Sequence, residues 1–119
     1  MAENAPLITM HDNTREKVKI ARERVGELRD TTDLTPAQMN LVDSIYILLL
    51  DLEDRLVLEN LKKNIKQLQA KSAKLAEITT KMKKSIAKLK KVAKVVNDAA
   101  KAVGVLADIL AKASSAGIL

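Results

Sequence analysis

Catalysis and metal binding need nucleophiles, proton carriers or ligands gathered at close range, and the sequence offers few such groups. The single histidine, His11, lies in a short stretch without helical patterning that carries Pro6. It has no cysteine to pair with, and a solvated terminal imidazole is the expectation. Asp51, Glu53 and Asp54 form the densest acidic cluster. A carboxylate metal site on helices draws further Glu or His ligands from other helices, often as Glu-x-x-His, and no such pattern occurs. The cluster therefore reads as a solvated helix edge or a partner for lysines. Neither a glycine-rich phosphate loop nor a nucleophile elbow is present. The expectation is a protein that is not an enzyme, with no catalytic residues, no metal and no cofactor.

Lysine is the abundant reactive side chain, and its distribution is uneven. Residues 1–60 carry seven basic and twelve acidic groups, while residues 61–119 carry fourteen lysines against Glu77, Asp98 and Asp108. Between Lys62 and Lys94, Glu77 is the only acid. Lys62, Lys63, Lys66, Lys81, Lys84, Lys88 and Lys91 are the candidate basic face, which Lys71, Lys74, Lys83, Lys90 and Lys94 extend. Such a face is ordinarily solvated, with its aliphatic stems covering apolar neighbours. It also suits phosphate, an acidic protein or an anionic membrane surface. Nucleic acid is disfavoured. No arginine follows Arg55 to read a base edge, and no aromatic follows Tyr46 to stack on one.

The elements that position these groups are helices. The apolar 47% of the chain contains one tyrosine, no phenylalanine and no tryptophan, so the core must be aliphatic. Three glycines and two prolines leave little punctuation for a sheet. A first helix is expected over 14–30, capped by Asn13 or Thr14, with Val18, Ala21, Val25 and Leu28 as a narrow stripe. The next start is stronger. Thr35 caps it, Pro36 takes the first position, Gln38 completes a capping box, and Leu34 with Met39 supplies a staple. The second helix, over 36–58, buries Leu41, Ile45, Leu48 or Leu49, Leu52 and Leu56. Ile47, Leu50, Val57 and Leu58 widen that stripe until the helix requires neighbours on two sides.

From Leu61 onward the register is strict. Leu61, Leu68, Leu75, Met82, Leu89, Val96, Val103 and Leu110 recur every seven residues. Ile65, Ser72, Thr79, Ile86, Ala93, Ala100 and Ala107 sit four after each. This is a heptad seam with one large and one mostly small position. Small residues favour close approach within a mixed bundle over a long parallel dimer. Projected backward, the seam would bury Asp54 and Asp51, so the stripe shifts near Leu56 to Asn60. Either the chain turns there or one helix rotates its apolar face. Continuous helix over 36–113 would be a rod of roughly 110 Å, which favours a break. Asn97–Asp98 is a second candidate break.

The expected fold is all-α: a helical bundle or long helical hairpin with coiled-coil-like heptad packing. A disordered segment over 1–12 precedes one domain over 13–113, with helices at 14–30, 36–58, 60–96 and 98–113 and a loose tail at 114–119. The N-terminal stretch lacks the basic and apolar regions of a signal peptide, and a cysteine-free composition fits the cytoplasm. The expected role is a helical interaction or oligomerisation module. Its seam residues are Leu61, Ile65, Leu68, Leu75, Met82, Ile86, Leu89, Val96, Val103 and Leu110. Its partner would be a second copy or another helical protein. The alternative is a membrane-active helical protein, part of a pore-forming or membrane-binding system, using the lysine-rich helix and the Ala/Val-rich stretch from Val92 to Ala113.

Overall fold

The computed structural model describes residues 5–31, 33–57 and 61–117, with side chains from Thr9 onward. Four helices account for most of them: α1 (Ala5–Arg29), α2 (Pro36–Arg55), α3 (Leu61–Lys83) and α4 (Ala87–Ser115). Helix α1 packs on α2 and α4, and α3 packs on α2 and α4. That leaves α1 across from α3 and α2 across from α4. Cross-helix pairs give the directions. Arg29 meets Asp43 and Arg22 meets Glu53. Asn64 meets Arg55 and Lys71 meets Asp51. Ser72 meets Ala100 and Gln69 meets Asp108. Each neighbour runs antiparallel to the last, which short connections require. The result is an up-down-up-down bundle measuring 50 × 19 × 19 Å.

The start of α2 forms as the capping chemistry dictates. The Gln38 N–H donates to Thr35 Oγ1 at 3.1 Å, and the Thr35 N–H donates to Gln38 Oε1 at 2.9 Å. Two otherwise unpaired donors are thereby satisfied. Helix α2 closes at Leu56, whose N–H bonds back to Leu52 and Glu53. With α3 beginning at Leu61, the apolar stripe is interrupted by a break in the helix. Leu58, Glu59 and Asn60, within the stretch from Leu56 to Asn60 where the stripe is expected to shift, lie outside the described residues.

Four expectations are corrected. Residues 5–12, within the segment expected to be disordered, are helical, so α1 begins at Ala5 and not near Thr14. Thr14 does not cap a helix; its hydroxyl donates to the Met10 carbonyl at 2.8 Å, a bond back along the preceding turn. His11 is not solvated; it is 3% exposed. The stripe of Val18, Ala21, Val25 and Leu28 extends back through Thr14 and His11 at the same three-and-four spacing. One more helical turn therefore carries the imidazole into the core. Helix α4 also passes through Asn97 and Asp98 without interruption, and the chain turns at Lys84–Ile86 instead. At its far end α4 stops at Ser115, and Gly117 takes the left-handed conformation that follows many helices. Ile118 and Leu119, at the end of the expected loose tail, lie outside the described residues.

The position of the turn has a physical reason. It falls at the midpoint of the seam, between Met82 and Leu89, and folds one half onto the other. The α3 segment then buries Leu61, Leu68, Leu75 and Met82 in the same core as Leu89, Val96, Val103 and Leu110 of α4. The small positions Ser72, Thr79, Ala93, Ala100 and Ala107 are buried too. The turn's stabilising contact comes from elsewhere in the fold: Gln38 Nε2 donates to Ser85 Oγ at 2.7 Å.

Candidate interaction surfaces

The heptad seam faces inward. Of its ten named residues, Ile65 is half-buried and Ile86, at the head of α4, is 41% exposed; the other eight lie in the core. Two buried hydroxyls on α3 are satisfied, one across to α4 and one within α3. Ser72 Oγ donates to the Ala100 carbonyl and Thr79 Oγ1 to the Leu75 carbonyl. Gly104 sits against Ser72 so closely that an added Cβ would stand 3.1 Å from Ser72 Oγ. The seam is thus occupied within the chain, α3 on α4.

The basic face is on the outside, where Lys62, Lys63, Lys66, Lys81, Lys84, Lys88 and Lys91 are all exposed. Lys88 approaches Asp33 at 3.5 Å, and Lys71 bonds Asp51 at 3.0 Å. Lys63, Lys66, Lys81, Lys84 and Lys91 have no ion pair among the described residues.

The acidic cluster is divided among three directions. Asp51 points toward α3, where Lys71 bonds it, and also accepts from Arg55 on its own helix. Partial burial pushes its carboxyl up, but the bonds from Arg55 and Lys71 outweigh this and hold it below the usual range. Glu53 points toward α1 and binds Arg22, and this bond raises the Arg22 pKa above its usual value. Asp54 faces solvent. Among the described residues no three His, Cys, Asp or Glu side chains come close enough to hold a metal ion.

His11 Nε2 donates to the Leu56 carbonyl, at the C-terminal cap of α2. The last carbonyls of a helix lack partners inside it, and here α1 supplies one. Nδ1 has no hydrogen bond among the described residues, and Asp12 Oδ1 stands 3.5 Å away. The geometry is that of a structural cap.

Two apolar strips remain on the outside. On α2, Ile47 is 64% exposed and Leu50 is exposed on the same side, with Val57 exposed just beyond the end of the helix. These are residues the sequence marks as excess to one neighbour. On α4, Val105 is 52% exposed and Ile109 lies one turn further on. Sequence reading overlooks this pair, because both belong to a helix whose heptad positions are already filled. The usable signal is their i,i+4 spacing off the seam. Val105 also borders a groove of about 680 Å³ between α1 and α4, with Met10, Ala102, Lys17 and Lys101 among its walls. No helix among the described residues is long and apolar enough to cross a membrane. No family model, curated protein or solved structure matches the chain.

Proposed function

We propose that this chain is a non-enzymatic helical interaction or oligomerisation module that docks a partner through the outer face of α2. The observation that carries this reading is Ile47, a large aliphatic side chain left 64% exposed on a helix whose opposite face is fully buried. Scattered exposed aliphatics are ordinary, but Ile47 and Leu50 share one side of one helix, and Val57 is exposed just past its C-terminal cap. Covering a side chain of this size contributes about 1.5–3 kcal/mol when it is fully removed from water. The α3–α4 seam belongs to the same reading in another capacity: coiled-coil-like packing of large against small positions holds the scaffold that presents α2.

The test is a photo-crosslinking residue at position 47 in the producing cell, with position 66 on α3 as an exposed control. A discrete adduct at 47 and none at 66 supports the reading. Equal labelling at both positions, or none at 47, removes it. A second reading, attachment to an anionic membrane, is favoured by Val105 and Ile109 lying between Lys101 and Lys112 on α4. It expects co-sedimentation with phosphatidylserine vesicles at low salt, where screening is weakest, and fails if the chain stays in the supernatant.

A further inference from the structure

The two exposed strips are patterned alike with opposite charge. On α2, Asp43, Ile47, Leu50 and Asp54 follow one another at spacings of four, three and four. On α4, Lys101, Val105, Ile109 and Lys112 follow at four, four and three. Both strips span twelve residues, about 16 Å of helix from end to end. Each has two aliphatic side chains in the middle and a charge at either end. Val105 and Ile109 are the α4 counterpart of Ile47 and Leu50 in exposure.

We infer that the partner of the α2 face is a second copy of this chain, which docks its α4 strip there. The inference rests on the interaction reading above and specifies its occupant. Charge decides between the possible pairings. Two α2 strips laid together bring acid onto acid at both ends, whether parallel or antiparallel. Two α4 strips bring lysine onto lysine. Only α2 on α4 places Ile47 and Leu50 over Ile109 and Val105 with carboxylates at the lysines. Like charges forced together cost affinity and exclude wrong pairings. Asp43 is already bonded to Arg29 at 2.9 Å. Asp54 has no partner among the described residues, so it is the carboxylate left to receive a lysine. Lys101 and Lys112 likewise have no ion pair among the described residues.

The arrangement of the bundle then fixes the kind of assembly. Helices α2 and α4 lie on a diagonal, so their outer faces point away from each other. A contact from α2 of one copy to α4 of the next does not close as a twofold dimer. It is heterologous, leaving one α2 face and one α4 face unused at the ends, and it propagates as an open filament unless its rotation closes a ring.

The decisive experiment uses two variants, Ile47→Glu and Val105→Glu. Both sites are exposed, and circular dichroism checks that each variant folds. If either does not, Asp54→Lys and the double variant Lys101→Glu/Lys112→Glu replace them. Light scattering over a concentration series should show the unaltered chain growing past a dimer, less so as salt rises. Each variant alone should remain at the monomer mass of 13.0 kDa. Mixed in equal amounts they should form a 1:1 pair of twice that mass and nothing larger, since each retains the face the other lacks. Val105→Glu that still dimerises alone overturns the proposal in favour of α2 on α2. An unaltered chain that stays monomeric throughout overturns it as well. In that case a position-47 adduct heavier than one chain but unequal to two leaves the interaction reading standing. A monomeric chain that sediments with phosphatidylserine vesicles through Val105 gives the α4 strip to a membrane and also overturns self-docking.

Discussion

Between α1 and α2, register is set by directional contacts. Arg22 binds Glu53, Arg29 binds Asp43 while its guanidinium lies 4.2 Å from the Tyr46 ring centroid, and His11 reaches Leu56. Between α3 and α4 the burden falls on shape. Large aliphatics alternate with Ser, Thr and Ala along the seam, and few polar contacts cross it, among them Ser72 to Ala100 and Gln69 to Asp108. Arginine is confined to the first sixty residues and lysine dominates the rest. Guanidinium forks suit fixed pairing with carboxylates, whereas lysine suits a hydrated exterior. The lesson is that one bundle can hold its two hairpins by different physics. The first depends on particular polar groups, and the second on uninterrupted packing.

The largest test of that contrast is deletion in the packed half. Leu75 has no exposed surface, and Leu75→Ala should cost about 2–5 kcal/mol in urea unfolding. Arg22→Ala, which removes a partly exposed pair from the other half, should cost roughly 1 kcal/mol or less. Equal losses would break the comparison. The next effect belongs to the directional half. His11→Leu fills much of the same space but withdraws the donor from the Leu56 carbonyl. An orphaned buried acceptor costs about 1–3 kcal/mol, and the loss should appear as a lower urea midpoint with an unchanged slope. A variant as stable as the parent would mean that α1 does not cap α2.

The two hairpins also differ in how far the sequence discloses them. The start of α2 is legible because Leu34, Thr35, Pro36, Gln38 and Met39 each carry a local signal for the same boundary. The turn at Lys84–Ile86 has no glycine, no proline and no side-chain cap on Ile86. It arises where the seam folds onto itself, and Gln38 from α2 bonds Ser85. No window around residue 85 contains that information. His11 is intermediate: its place on the α1 stripe is visible in the spacing, but its acceptor is 45 residues away. The acceptor is therefore settled by tertiary structure. The excess of Ile47 and Leu50 on α2, and of Val57 just past it, is legible as a surplus over what one neighbour covers. The matching strip on α4 emerges only once the fold shows which residues of that helix remain outside.

A smaller effect sharpens the contrast through two glycines. Both lie inside helices, where alanine is favoured by roughly 0.5–1 kcal/mol. At Gly26 an added Cβ would meet Tyr46 Cε2 at 3.5 Å, an ordinary contact. At Gly104 it would stand 3.1 Å from Ser72 Oγ, and that hydroxyl is held by its bond to the Ala100 carbonyl. Turning the hydroxyl away would leave a buried donor unpaired. Gly26→Ala should therefore raise the melting temperature, and Gly104→Ala should leave it unchanged or lower. A clear gain at Gly104 would show that the α3–α4 packing has slack, contrary to the role of shape there.

The smallest effect concerns the join between the hairpins. Asp51 on α2 accepts from Arg55 on its own helix and from Lys71 on α3 at 3.0 Å. Its folded pKa lies below the ordinary 3.8 because these bonds outweigh partial burial. A carboxyl depressed on folding stabilises the native state at pH values above its unfolded pKa. That contribution is lost as pH falls through the folded value, where the native carboxyl is finally protonated. Neutral-range stability should thus be flat with respect to this group, and the loss should begin below about pH 4. Asp51→Asn removes the titration, so its stability should fall less steeply over that acidic window than the parent's. The pair is about one-third exposed, and solvent screening limits it to a few tenths of a kcal/mol. Identical acid slopes would mean that the contact joining the two halves is packing alone, the principle of the second hairpin extended across the join.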